Sequence, residues 1–108
     1  MRIDIRAGQE VMSTIQSEVT RSGIANASMT LIGAVELAEI STMKADDASM
    51  DILTTYAEPL ELSGMGEVVD GQAHIHVTLG RQNDVPVFGH LHRADVATFF
   101  VHAYLSPA

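Results

Sequence analysis

The segment Ala73-His74-Ile75-His76-Val77-Thr78-Leu79 alternates without a break, apolar at every odd position and polar at every even one. Period two over seven residues describes a strand with one face in a core and the other open. After a loop containing Gly80, Asn83, Asp84 and Pro86, Val87-Phe88-Gly89-His90-Leu91-His92 alternates again. A simple hairpin centred on Asn83 sets His76 opposite His90 and His74 opposite His92. The same register sets Ile75 against Leu91 and Leu79 against Val87, apolar against apolar. Four of the five histidines are thereby expected on one face of one strand pair.

The rest of the chain accommodates this sheet. Val11, Met12, Ile15 and Val19 line one helical face between Gly8 and Gly23, with Gly23 as the stop and Arg21 in the last turn, where a cation suits the helix dipole. Ile3 and Ile5 alternate with charge in an opening strand, and Met29-Thr30-Leu31-Ile32 reads as a buried strand before Gly33. Residues 35 to 43 and 50 to 56 carry apolar residues on either side of the polar run Lys44 to Ser49, which suggests a hairpin loop. Leu60 and Leu62 begin a strand that ends near the Asp70-Gly71 turn, and Ala97 to Leu105 supplies the last one. One helix with seven or eight strands, mostly antiparallel, is a single α+β domain over residues 1–108.

Composition narrows what such a domain does. With 108 residues, 46% of them apolar, the chain supports one core. Six basic residues against fourteen acidic ones leave a formal charge of −8, and the basic ones are scattered, so a surface that tracks phosphates is hard to build. Little direct binding to duplex DNA is expected at physiological salt. The opening Met-Arg-Ile-Asp-Ile-Arg carries charge where a signal peptide needs apolar residues, and no run reaches the ~18 apolar residues of a membrane span. A cytoplasmic location is expected.

There is no cysteine, so imidazole and carboxylate are the available metal ligands. Strand neighbours at i and i+2 lie ~6.6 Å apart and adjacent strands ~4.8 Å apart. Three imidazoles at that spacing converge on one ion at ~2.0–2.1 Å, leaving a position for water or substrate. Solvent-facing strand histidines are the simpler account of one His-X-His. Two such motifs in matching register favour the metal. A cupin-like arrangement does not fit, because Val77-Thr78-Leu79-Gly80 stands where a Glu is needed. His102, beside Tyr104 on the final strand, reads as structural. Zinc asks least of an open three-nitrogen site, while iron, nickel and copper also accept imidazole.

In order along the chain, Ala7-Gly8-Gln9-Glu10-Val11, Leu31-Ile32-Gly33-Ala34-Val35, Leu60-Glu61-Leu62-Ser63-Gly64, Asp70-Gly71, His74-Ile75-His76-Val77-Thr78-Leu79-Gly80 and Gly89-His90-Leu91 resemble a prokaryotic single-domain member of the plants-and-prokaryotes-conserved (PPC) domain family. The resemblance covers nearly the whole chain and implies a compact α+β subunit that assembles as a homotrimer. It also implies a metal site from three histidines, here His74, His76 and His90. His92 departs from the family pattern, in which that position is commonly apolar or acidic. Plant members join the domain to a basic Gly-Arg-Pro AT-hook, and this sequence contains no such segment.

Two classes of function follow. In one, a divalent ion, zinc by preference, binds or polarises a small molecule. Arg81 and Arg93 would then orient a carboxylate or phosphate, and Glu67, Tyr56 or His92 would move protons. In the other, the metal is structural and the domain is a regulatory module in transcription that works through protein contacts.

Overall fold

The computed structural model describes all of residues 1–108. Its elements run β1 (Arg2–Arg6), α1 (Val11–Ser22), β2 (Ala27–Val35), β3 (Leu37–Lys44), β4 (Asp47–Tyr56), β5 (Leu60–Val69), β6 (Gln72–Arg81), β7 (Val85–Asp95) and β8 (Phe100–Pro107). The eight strands form one sheet in the order β1-β8-β2-β5-β6-β7-β3-β4. Every pairing is antiparallel.

Each central strand buries alternate residues, as period two requires. Ile75, Val77 and Leu79 of β6 face inward with Leu60 and Leu62 of β5 and Leu31 of β2. Helix α1 covers that inner face, burying Val11, Ile15 and Val19 and packing against β1, β6 and β7. The opposite face carries no covering layer, and the histidines stand on it.

Two acidic side chains do structural work that hydropathy does not reveal. Glu10 is the N-cap of α1, its carboxylate accepting from Met12 N and Ser13 N at 2.8 Å each. It also accepts from Ala94 N at 3.0 Å, which ties the helix start to β7. Glu36 accepts from Ala97 N at 2.9 Å and Thr98 N at 3.1 Å. Those amides are thus kept out of a ladder, and the last strand begins at Phe100 instead of Ala97.

The expected loop from Lys44 to Ser49 contracts to a tight turn at Ala45 and Asp46, with a register shift at Lys44 and β4 starting at Asp47. Asp47 supports this geometry by accepting from Ser49 N and Oγ. The Asp70-Gly71 turn has positive φ at both residues, 50° and 79°, the primed geometry that a two-residue hairpin between right-twisted strands needs. Gln16 of α1 braces that hairpin, donating to Gly71 O at 2.9 Å and accepting from Ala73 N at 3.0 Å.

Candidate metal centre

Between β6 and β7 the expected register holds from His76↔His90 through Leu79↔Val87 to Arg81↔Val85, and the turn carries positive φ at Asn83 and Asp84. The ladder stops at His76↔His90, so the expected pairs His74↔His92 and Ile75↔Leu91 do not form. A β-bulge is the cause. On the other side of β7, Glu39 pairs with Arg93 and Ile40 with Leu91, which leaves His92 as the extra residue. The bulge resets the inward parity from Leu91 to Ala94, exposing His92 and Arg93 together.

The bulge separates the four histidines into three and one. Ligand atoms of His74, His76 and His90 all lie within 4.8 Å of one another. Their ring centroids are 5.0 Å (74–76), 4.9 Å (74–90) and 5.7 Å (76–90) apart. His92 stacks edge-on against His90 at 4.7 Å and places Nε2 2.7 Å from the hydroxyl of Ser41 on β3. Tetrahedral coordination at ~2.0–2.1 Å needs nitrogens ~3.4 Å apart, so an ion held here would require the rings to draw inward, by rotations open to the exposed His74 and His76.

Chemistry favours the neutral, ligating form at the centre. His90 is half-buried, and burial pushes its pKa below the ordinary value, helped by the neighbouring His92, His74 and His76 and opposed by Asp51. A neutral imidazole is the form a metal accepts. Glu67 is the cross-strand partner of His74, with Oε2 3.8 Å from Nδ1. Phe88 meets His76 edge-on at 5.6 Å. An open cavity of about 580 Å³ lies over this ground, lined by Ser63, Met65, Glu67, Thr78 and Phe88 besides His74 and His76.

Three glycines behind the histidines shape the sheet. Gly64 and Gly66 of β5 and Gly89 of β7 point inward, where a Cβ would sit 2.9 Å from His76 O, 2.6 Å from His74 O and 2.6 Å from Ser41 O. Only glycine admits such close backbone approach, so the strands coil tightly beneath the cluster. Their signal in the sequence is a glycine at positions that alternation assigns to the core. Thr78 and Phe88 follow from the same alternation, two positions from His76 and His90, whereas Ser41 and Ser63 carry no comparable signal, because their place beside the histidines depends on pairings across strands.

Of the supporting residues expected from sequence, Glu67 and His92 stand beside the histidines. Arg81 lies farther along β6, held by Glu58 at 2.7 and 3.2 Å and seated over the Tyr56 ring at 5.0 Å. Arg93 is engaged with Asp95 at 2.9 Å. Arg81, Tyr56 and Arg93 are therefore not brought into the cluster. His102 stands on β8, stacked on Phe100 at 4.2 Å and 3.7 Å from Asp4.

No curated protein matches the chain. Among solved structures, a metal-containing protein from Archaeoglobus fulgidus is 28% identical, with a TM-score of 0.83 over 99% of this chain and 79% of that one. A plant- and prokaryote-conserved protein from Pyrococcus horikoshii is 23% identical, with a TM-score of 0.83 over 100% and 79% of the two chains. A presumed DNA-binding protein from Ralstonia eutropha JMP134 is 20% identical, with a TM-score of 0.86 over 99% and 76%. These last two likenesses establish a shared fold. No helix is long and apolar enough to cross a membrane. The model of the Plants and Prokaryotes Conserved domain matches residues 1–107, and with the histidine-bearing sheet just described the chain belongs to that family.

Proposed function

We propose that His74, His76 and His90 hold one divalent ion, zinc by preference, and that the centre binds or acts on a small molecule within a homotrimer. The observation that carries this reading is the convergence of three imidazoles within 4.8 Å on an open face. Support comes also from the depressed proton affinity of His90 and from the metal-containing Archaeoglobus relative. The ion would supply Lewis acidity at that place. Around it, Glu67 is positioned to exchange a proton near His74 Nδ1, and Phe88 and Met65 give the open cavity apolar lining.

A regulatory role with a structural metal is the second reading, favoured by the presumed DNA-binding relative. The charge of −8 argues against direct DNA contact, as does the pairing of Arg2, Arg21, Lys44, Arg81 and Arg93 with acidic neighbours. Metal content by mass spectrometry tests the first reading. One equivalent is expected in the unsubstituted protein, with loss in His76→Ala and His90→Ala and retention in His92→Ala. Full metal in the first two variants, or none in the zinc-supplemented parent, refutes it. Light scattering at three times the 11.6 kDa subunit mass tests the trimer, and a stable monomer overturns it.

A further inference from the structure

We propose that the hydroxyl of Ser41 tethers His92 away from the cluster and so keeps the fourth coordination position of the centre open for an exogenous donor. This rests on the reading that His74, His76 and His90 hold a divalent ion, and it adds a task for two residues outside that ligand set.

By register alone His92 belongs with the other three. Extending the β6–β7 ladder two positions past His76↔His90 would set it opposite His74 on the same face. Its ring lies 4.7 Å from that of His90, nearer than any two of the clustered rings lie to each other. A fourth imidazole so placed is within a side-chain rotation of the ion. A zinc ion with four protein ligands is a closed, structural centre, whereas one with three keeps a position for water or substrate. Yet the ligand atoms that converge are those of His74, His76 and His90, without His92.

Two features hold His92 off. The bulge makes it the extra residue of β7, so nothing on β6 pairs with it. Its ring then engages the strand on the other side of β7, with Nε2 2.7 Å from Ser41 Oγ on β3, while His74 and His76 stand on β6. Ser41 is the one buried polar residue of the chain, 4% exposed, and His92 is the one hydrogen-bond partner of its hydroxyl. It follows the inward-facing Ile40, so on an alternating strand its hydroxyl lies on the histidine-bearing face. Swinging His92 to the ion would strip that buried hydroxyl of its partner, and a buried polar group left unpaired is costly. The nitrogen at the tip of the ring, the one that reaches farthest, is also the one engaged.

The test uses Co2+-loaded protein, whose visible absorption reports on the donors at the metal, with free imidazole as the probe. The parent should bind imidazole at the open position. In Ser41→Ala the released ring should take that position itself. A tethered donor competes at millimolar or higher effective concentration, so the imidazole needed for half-saturation should rise about tenfold or more. The same variant should hold Co2+ more tightly against a chelator. Ser41→Ala with His92→Ala should return to the parent on both measurements.

Equal imidazole affinity in the parent and Ser41→Ala, or a weakening that survives in the double variant, overturns the tether and leaves the metal centre standing. Should Ser41→Ala fail to fold, long-range 1H–15N correlation on the zinc-loaded parent decides. Both nitrogens of His92 are expected free of metal there, and a metal-bound His92 nitrogen overturns the proposal. If the parent takes up neither metal, the metal centre itself fails and this inference falls with it.

Discussion

Replacing Gly89 with alanine is expected to destabilise the subunit and loosen the histidine cluster together. An ideal Cβ there lies 2.6 Å from the Ser41 carbonyl and 3.3 Å from two carbons of Ile40, whereas ordinary contact begins at 3.4 Å. Relief requires β3 to retreat from β7 by the difference, 3.4 − 2.6 = 0.8 Å, at the point where Ser41 pairs with His90. The obstacle is backbone, so no rotamer change absorbs it. Overpacking of this kind costs about 1–3 kcal/mol. The reduced freedom of the unfolded chain returns roughly 0.4–1 kcal/mol. The net loss of about 1–2 kcal/mol corresponds to a fall in melting temperature of roughly 5–15 °C for a domain of this size. Gly8→Ala is the control, because Gly8 has φ +89° and nothing within 4 Å of its Cβ. It should cost about 1–2 kcal/mol through backbone strain alone. Calorimetry compares stability, and competition with a zinc chelator compares affinity, which should weaken in Gly89→Ala and hold in Gly8→Ala. A Gly89→Ala variant that melts within a degree of the parent and keeps its zinc affinity refutes the reasoning.

Glu10→Ala removes the helix N-cap and the partner of Ala94 N at once. Cap loss alone costs about 0.5–2 kcal/mol, and urea denaturation should show at least the upper half of that range. Unchanged stability would mean that the carboxylate does not join α1 to β7. His90 makes the metal-free fold sensitive to acid. Its folded pKa lies below the unfolded value of 6.5, so the unfolded chain binds the proton more readily. This contribution is neutral above pH 6.5 and turns increasingly destabilising as pH falls below it. Urea titrations between pH 5 and 8 should give a steeper loss for the metal-free parent than for His90→Gln, and equal slopes contradict the assignment.

Local pattern and tertiary structure contributed different parts of this protein. Alternation alone put His74 and His76 on the face opposite Ile75, Val77 and Leu79, because successive side chains of a strand point to opposite sides whatever it pairs with. The short turn around Asn83 then set His76 against His90, since a turn of given length fixes the register beside it. The helix was legible for the same reason, its burial of Val11, Ile15 and Val19 following from their spacing along the chain.

Beyond the reach of that turn, register is negotiated with whatever strand lies on the other side. β7 pairs with β3, which is some fifty residues away in sequence, and the bulge that sends His92 to Ser41 arises there. The charge environment was equally hidden. Whether Arg81 is free depends on Glu58, and the carboxylate that faces His74 is Glu67 because β5 lies beside β6. Three histidines on one face could be read from the chain because strand geometry is local. Which groups surround them was decided by the strand order, because Coulomb interactions and backbone packing act across space without regard to separation along the chain.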